Sequence, residues 1–344
     1  MAPEEYAFSA RKRVLVHYWL GIRTFAMYFA TAYLIWNYHD NPLIWIPAGF
    51  FQGQWLVNMI FLNHECVHQL VWNKRDSALK INIEYWTGRA YCFLPTISST
   101  FFRAYHGMHH HQFFQGTDDP KSTHFVPKNR ARSTRMKFWG PGLVKVFTDL
   151  RVEVMPVLPK DVQKAAKLEQ MVNKTCHFLF MVWCIYTCGF SFWMKIHFIP
   201  HLFWFPVGFM INRCGQHYRK YWIQGTRTKK TNLTVFYKPH FFPLNQQLSF
   251  HSCNPKDSAL QSTNCIGNWF WDMCHLYSEY HVEHHTFAEV PAYNLKFQNS
   301  VLKENVYKKI DLPQFTFFNL CWGWVVQNRK VYTVWYDLAT PYDK

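Results

Sequence analysis

The sequence predicts an all-α, polytopic membrane protein with about four transmembrane helices in two hairpins, below a helical cap that carries histidine boxes. Long apolar stretches with almost no charge give the first indication, and the basic polar sections around them give the second. An uncharged stretch of about 20 residues has the length of a bilayer-crossing helix. A buried hairpin in a soluble protein is the alternative, but the length and the aromatic content of the stretches favour a membrane.

The first hairpin is predicted from about 14 to 63. Its first helix is an aromatic-rich run at 14–37, in which we expect Arg23 to reach the membrane surface near one end. A polar turn at 40–42 follows, and the stretch 43–63 carries no charge. The first histidine pair comes directly after this second helix.

The second hairpin is predicted from about 175 to 213. The stretch Cys176–Met194 is uncharged and long enough to cross a bilayer, the residues at 195–200 indicate a turn, and a return helix begins at Leu202. We interpret the whole chain, 1–344, as one domain.

The remaining sections, 64–174 and 214–344, form the predicted cap. The chain has a formal net charge of +16, and these sections and the N-terminus are basic, whereas the two turns are not. The positive-inside rule therefore places the cap on the cytoplasmic or matrix-like side. The charge suits an anionic membrane surface or an acidic partner, and no nucleic-acid motif accompanies it.

Three histidine boxes lie in the cap, namely HECVH at 64–68, HGMHHH at 106–111 and HVEHH at 281–285. Residues three or four apart share one face of a helix, so these spacings suit metal ligands. The predicted topology also puts all three boxes on one side of the membrane. Without His111, eight histidines remain, enough for two metal ions with four ligands each: His64, His68, His106, His109, His110, His281, His284 and His285.

The ligand type leaves several chemistries open, because neutral imidazole binds zinc, iron, copper and nickel. Two redox metals close together can activate dioxygen, and a site at a membrane suggests a lipid-like substrate. The first box also matches the HExxH pattern of zinc metalloproteases, with Glu65 as general base. That hypothesis needs only one further ligand and leaves the other two boxes unexplained.

The boxes and their order resemble those of the membrane fatty-acid desaturase and hydroxylase superfamily. YHVEHHTFAEVP at 280–291 is similar to the third box of acyl-lipid desaturases, and HHHQFFQGTDDP at 109–120 to the second box with the acidic residues behind it. Ala288 stands where the family usually has proline, and His281 stands where front-end desaturases have glutamine. The resemblance covers about 43–295 and implies a diiron enzyme that uses dioxygen and two electrons to desaturate an acyl chain of a lipid.

The resemblance and the surroundings of the boxes suggest further site residues. Family members use one more histidine after the last crossing, a position that His217 occupies. Carboxylates can accept the second N–H of a ligand, and we expect this of Asp118, Asp119, Glu65 and Glu283. Aromatic side chains beside the boxes can line an apolar tunnel, with Arg103 at the lipid head group: Trp55, Phe61, Trp86, Phe93, Trp269, Phe270 and Trp271.

The expected cofactors are two iron ions, with dioxygen as co-substrate. No HPGG haem motif is present, so we expect a separate electron donor such as cytochrome b5 or ferredoxin. A hydroxylase, or a sterol or carotenoid oxygenase of the same superfamily, is one alternative, and a non-enzymatic subunit of a membrane protein assembly that retains the fold is another. We expect the endoplasmic reticulum membrane, with a mitochondrial or other organelle membrane as the alternative.

Overall fold

The computed structural model describes residues 3–73, 77–106, 148, 151–152, 154–209, 218–219, 264–265, 269–304, 314–315 and 332–333. At Trp271 and His285 it describes the backbone alone.

The described residues are mostly helical, which confirms the predicted all-α class. The helices are α1 (Pro3–Ser9), α2 (Val14–Tyr38), α3 (Pro42–Val67), α4 (Ala78–Phe93), α5 (Ser99–Arg103), α6 (Lys160–Cys188), α7 (Phe190–Trp193), α8 (Trp269–His275), α9 (His281–Thr286) and α10 (Ala292–Leu302), with a 3₁₀ turn at Met155–Val157. Four strands have two residues each. β1 (Tyr218–Arg219) pairs antiparallel with β4 (Tyr332–Thr333), and β2 (Asn264–Cys265) pairs parallel with β3 (Gln314–Phe315).

Helices α2 and α3 form the first hairpin, with the turn where the sequence predicted it. Asn41 caps α3, because its side-chain oxygen accepts a hydrogen bond from the backbone N–H of Leu43 at 3.0 Å. Pro42 takes the first helical position, where its missing N–H costs nothing. Among the residues that the structure describes, no helix is both long enough and apolar enough to cross a membrane.

Arg23 bonds within the protein, although we expected it to extend toward a membrane surface. Its guanidinium donates a hydrogen bond to the carbonyl oxygen of Met273 at 3.3 Å. The side-chain amide of Asn58 donates to the same oxygen at 3.1 Å. Because Met273 lies in α8, both helices of the first hairpin are tied to the segment that leads to the third histidine box.

The second hairpin turns at Gly189, so the prediction of a turn at 195–200 was wrong. Helix α6 ends at Cys188, and Gly189 has a φ of 87°, a left-handed conformation that glycine adopts without steric cost. The ammonium group of Lys195 donates to the carbonyl oxygen of His39 at 2.8 Å. The return helix begins with α7 at Phe190, not at Leu202, and continues to residue 209. Lys195 therefore lies inside it, near the turn of the first hairpin, and the two turns are at the same end of the bundle.

The return helix is widened into π-helical turns at Met194–Phe198 and Pro200–Trp204. Proline lacks an N–H, and its ring collides with the carbonyl four residues earlier in a regular α-helix. Pro200 follows the first π-helical turn, in which the backbone N–H of Ile199 donates to the carbonyl oxygen of Met194, five residues earlier. This wider turn contains Ile196, whose carbonyl the proline ring would otherwise meet. One proline and two polar residues, Pro200 with Lys195 and His197, suggested a turn, whereas the chain accommodates them in a wider helix.

Candidate metal centre

Histidines from all three boxes meet at one end of the bundle. One ligand atom from each of His64, His68, His106 and His284 lies within 4.8 Å of the corresponding atom of the other three. We name these four residues the box cluster. The Nε2 atoms of His68 and His106 are 3.2 Å apart. Two nitrogens on one tetrahedral ion, with bonds of about 2.05 Å, are about 3.3 Å apart, so this spacing fits a shared metal ion.

Helix α3 supplies the first pair of ligands. His64 lies in its last turn and His68 is its C-cap, and their ring centroids are 4.4 Å apart. Sequence spacing of four residues predicted that both rings point the same way, and the structure agrees. The ring centroid of His284 is 4.6 Å from that of His64 and 4.9 Å from that of His68.

His106 comes from the segment that follows α5, and a carboxylate on α6 fixes the start of that short helix. The carboxylate of Glu169 accepts hydrogen bonds from the backbone N–H of Ser99 at 2.8 Å and of Thr100 at 3.1 Å. It also accepts the hydroxyl of Ser98 at 2.9 Å. The two backbone N–H groups are among the unpaired donors at a helix N-terminus, so Glu169 orients the helix that precedes His106.

The third box is reached through two consecutive residues with left-handed backbones, Leu276 at φ 49° and Tyr277 at φ 58°. Non-glycine residues take up this conformation at an energetic cost, and such sites often adjoin functional residues. They lie in the turn between α8 and α9, and His284 lies on α9. On α9, the buried Glu283 accepts a hydrogen bond from the side chain of Asn299 at 2.7 Å, which fixes α9 against α10.

Charged side chains also support α8 and α10 behind the third box. The ammonium group of Lys296 on α10 donates to the buried carboxylate of Asp272 on α8 at 2.6 Å. This contact raises the pKa of Lys296 above its ordinary value. Burial raises the pKa of Glu279 well above its usual range, and the neighbouring Asp272 adds to that effect.

The N-terminal segment crosses from the first box to the third. The ammonium group of Lys12 donates to the carbonyl oxygen of Gln69 at 3.0 Å, one residue after the first box. The backbone N–H of Arg13 donates to the hydroxyl of Tyr293 at 2.6 Å, and Asn294 donates to the carbonyl oxygen of Ser9 at 2.8 Å. The segment therefore joins α3 to α10 across the box cluster.

Glu65 is buried, and its carboxylate faces α10. One oxygen accepts the backbone N–H of Ala292 at 2.9 Å, and the other lies 3.7 Å from His64 Nδ1, which is too far for a hydrogen bond. Burial raises the pKa of Glu65 to about 8. Glu65 therefore helps to pack α3 against α10. The HExxH hypothesis needs one ligand beyond His64 and His68, whereas His106 and His284 both join them.

Several predicted site residues lie outside the described ones, namely His109, His110, Asp118, Asp119 and His217. His281 is buried on α9, with its ring centroid 5.5 Å from that of His284, but it is not one of the four residues that meet. The side chain of His285 is not described. The assignment of eight ligands to two ions therefore remains a prediction.

A cavity of about 20 Å³ adjoins the box cluster. Its walls include His64, His281 and His284, and of the predicted tunnel residues Phe61 is among them. Trp55 is buried, whereas Trp86 and Trp269 are exposed, and Phe93, Phe270 and Arg103 are partly buried or at the surface. The predicted tunnel is untested.

A larger apolar cavity of about 400 Å³ lies near the turn end of the bundle. Trp45 and Ile46 on α3 line it, together with Phe198 and Leu202 on the return helix. At 1.5 Å per residue, Trp45 is roughly 28 Å along α3 from His64. We therefore do not assign this larger cavity to the box cluster.

Two residues that position the boxes, Glu169 and Asn299, were not predicted from the sequence. Glu169 is an isolated acid in the basic stretch of α6, and Asn299 lies in a helix without a recognisable motif. Only their partners, Ser99 and Thr100 for the first and Glu283 for the second, reveal their roles.

Three spaced histidine boxes thus converge in a helical bundle and form a group of imidazoles that could hold a metal ion. The model of the family described as Fatty acid desaturase matches residues 40–318, which is most of the chain. The chain belongs to the fatty acid desaturase family, and the resemblance of the boxes to that superfamily is confirmed. A search of curated proteins found no match.

Proposed function

We propose that the protein is a single-domain, membrane-embedded diiron oxidoreductase that desaturates an acyl chain of a lipid, using dioxygen and two electrons. One observation carries the proposal: His64, His68, His106 and His284, from three separate boxes, have ligand atoms within 4.8 Å of one another. Membership of the fatty acid desaturase family supports the same reaction class.

The chemistry of the donor set fits iron. All four residues of the box cluster offer neutral imidazole, which binds iron as well as zinc and copper, and no thiolate belongs to the group. The other five predicted ligands, His109, His110, His217, His281 and His285, would complete the coordination of two ions. Iron bound there would supply the activation of dioxygen that attack on an unactivated C–H bond requires.

The protein side chains would exclude water and fix the ligands. His106 and His284 are buried, and the ring of Phe102 stacks on His106 with centroids 5.2 Å apart. A dry, apolar shell limits side reactions of a strong oxidant with solvent. Glu169 would act as a positioning residue, because it orients the helix that precedes His106.

The donor and the membrane also belong to this proposal. The net charge of +16 would attract an acidic electron-transfer protein to the cap side, and steering of this kind weakens with salt. Two helical hairpins would cross the membrane, with their turns on the side away from the box cluster. Endoplasmic reticulum is the proposed location.

Two exposed positions test that topology. Cys188 lies beside the turn of the second hairpin, whereas Asp161 lies at the opposite end of α6. In sealed vesicles, an impermeant maleimide should label Cys188 from one face and the Asp161→Cys variant at its new thiol from the other, as read by peptide mass spectrometry. A Cys188→Ser variant gives the background. Labelling of both sites from one face would exclude a crossing by α6.

The function is tested by metal and lipid analysis together. The purified protein should contain iron, and cells that lack it should lose one class of unsaturated acyl chain, which the wild-type gene restores and His284→Ala does not. Loss of a hydroxylated product would favour the hydroxylase alternative. Protein with a single zinc and no iron, in cells whose lipids are unchanged, would contradict the proposal and favour the zinc protease or the structural subunit.

A further inference from the structure

A second group of histidines lies within the second hairpin, away from the three boxes. One ligand atom from each of His177, His197 and His201 lies within 4.8 Å of the others. We name these three residues the bundle cluster. Nδ1 of His177 is 3.2 Å from Nε2 of His197, again close to the separation of about 3.3 Å for two nitrogens on one tetrahedral ion.

Backbone carbonyls orient two of the three rings from outside. Nε2 of His177 is 3.1 Å from the carbonyl oxygen of Phe93, and Nε2 of His201 is 3.0 Å from that of Leu94. Metal-bound histidines usually donate their second N–H to a carbonyl or carboxylate in this way, which fixes the ring and its tautomer. The end of α4 thus provides the outer support for His177.

The ring of His201 has more acceptors around it than a neutral imidazole can satisfy. Its Nε2 faces Leu94 O at 3.0 Å, and its Nδ1 faces His197 O at 2.8 Å. A neutral ring carries one N–H, so it can donate to only one of these oxygens. If one of the nitrogens binds a cation, the carbonyl oxygen that faces this nitrogen contacts the same cation, and the other nitrogen keeps the N–H for its own acceptor.

The local backbone is unusual at the same place. His197 and His201 lie on the two π-helical turns of the return helix. Single π-helical turns often occur at functional sites. Here they bring the two rings to a centroid separation of 4.0 Å, closer than the 4.4 Å between the rings of His64 and His68.

The two clusters are separate sites. A Cβ on Gly53 would meet the backbone of Trp204 and Phe205, so these residues lie at one level of the bundle. His64 is eleven residues beyond Gly53 on α3, and His201 lies in the other direction, so the clusters are about 20 Å apart along the bundle. A single metal ion cannot use ligands from both.

We propose that the bundle cluster is a second metal site, which binds one borderline divalent cation, with Zn²⁺ as the first choice, through His177, His197 and His201. Three neutral imidazoles without a carboxylate or thiolate suit Zn²⁺ or its neighbours Co²⁺ and Cu²⁺, and disfavour Mg²⁺ and Ca²⁺. A water or small anion takes the fourth position, since His177 is only partly buried. The site ties α6 to the return helix independently of the box metals.

The first test is the metal content of the purified full-length protein. Wild-type protein should hold one equivalent of zinc in addition to iron. His197→Gln and His201→Gln should each lose that zinc and keep the iron, whereas His284→Ala should lose iron and keep the zinc. His39→Gln is the matched control, because His39 lies at the turn end outside both clusters. Wild-type protein without zinc, or zinc that persists in His197→Gln, would overturn the proposal.

A second measurement separates metal binding from a purely hydrogen-bonded cluster. Co²⁺ added to zinc-stripped wild-type protein should give the visible absorption of a tetrahedral site, and His197→Gln should not. A chelator should lower the Tm of wild type and His284→Ala, but leave that of His197→Gln unchanged. If His197→Gln does not fold, His177→Gln at the partly buried edge replaces it. Equal Tm values with and without chelator in wild type would show hydrogen bonding alone.

Discussion

The box cluster and the bundle cluster have the same close spacing of imidazole nitrogens, 3.2 Å in each, but the fold builds them differently. The box cluster gathers residues from 64 to 284 at the ends of helices, where carboxylates and the N-terminal segment hold each contributing piece. The bundle cluster comes from one hairpin. Similar spacing of imidazole nitrogens therefore depends on long-range polar contacts in the box cluster and on the pairing of two helices in the bundle cluster.

Helix pairing accounts for the bundle cluster in simple terms. Gly189 is the turn residue, and His177 and His201 are each twelve residues from it. In an antiparallel hairpin, residues at equal distances from the turn lie at the same level. His197 is one turn away on the same face as His201.

The largest expected effect concerns the chemistry of the box cluster. His284→Ala removes one of the four converging ligands, so iron binding and product formation should fall by roughly 100-fold or more, since even outer partners of metal ligands are worth 10–100-fold. Iron content and acyl-chain analysis measure this, with His39→Gln as control. Full product formation by iron-free His284→Ala would end the assignment of the chemistry to the box cluster.

The box cluster could be predicted from the sequence, whereas the bundle cluster could not. Spacings such as His64 and His68 are local, so helical periodicity alone places both rings on one face. His197 and His201 have the same spacing, but the misplaced turn at 195–200 put them at a hairpin end. The chain turns at Gly189 instead, where φ is 87°, so both histidines lie within the return helix.

The fold class and the first hairpin were likewise predictable, because apolar runs and the capping Asn41 act locally. The supports of the boxes were not, since they depend on contacts between distant segments. Glu169 reaches Ser99 across 70 positions, and Lys12 reaches Gln69 across 57. No pattern in either segment specifies these partners.

The next prediction concerns the ion pair between Lys296 and Asp272, which joins α10 to α8 beside the third box. Lys296→Met leaves the buried carboxylate of Asp272 without this partner, which should cost about 2–3 kcal/mol of unfolding free energy at pH 7. The raised pKa of Lys296 means that its contribution is complete below the unfolded pKa near 10.5 and is lost as pH rises through the higher folded value. Neutral pH is therefore inside the window.

Denaturant unfolding measures this loss, and Lys303→Met on the exposed end of the same helix is the matched control. A change below about 0.5 kcal/mol in Lys296→Met, equal to that of the control, would mean that exposed lysines contribute little here.

A smaller effect is expected from the carboxylate that orients α5. Glu169→Gln keeps the shape but has one acceptor oxygen fewer for the donors of Ser98, Ser99 and Thr100, so we expect a loss of about 1–2 kcal/mol in stability. Because His106 follows α5, iron affinity should also fall, by about 10-fold.

Asp161→Asn, at the exposed start of the same helix, is the control for Glu169→Gln. A lower iron affinity in Glu169→Gln without a matching fall in the control would identify Glu169 as a positioning residue. Stability loss with unchanged iron affinity would leave it a structural role alone.

The smallest effect probes the contact between α3 and the return helix, on which the bundle cluster depends. A Cβ at Gly53 would lie 2.7 Å from backbone atoms of Trp204 and Phe205, whereas one at Gly49 would come no closer than 3.6 Å to the Trp204 ring. Alanine gains up to about 1 kcal/mol over glycine inside a helix, but overpacking against backbone costs about 1–3 kcal/mol. Gly53→Ala should therefore lose about 1 kcal/mol, and Gly49→Ala should gain a few tenths.

The opposite signs make this pair informative, because helix propensity contributes equally to both substitutions on α3. Thermal or denaturant unfolding gives the two values, and zinc content reports on the bundle cluster in the same samples. Since Trp204 is three residues after His201 on the return helix, the displacement in Gly53→Ala should weaken zinc binding, while iron at the box cluster stays. Equal stabilisation by both substitutions would mean that α3 and the return helix are not in close contact at Gly53. The estimate of the distance between the two clusters, which rests on that contact, would then be wrong.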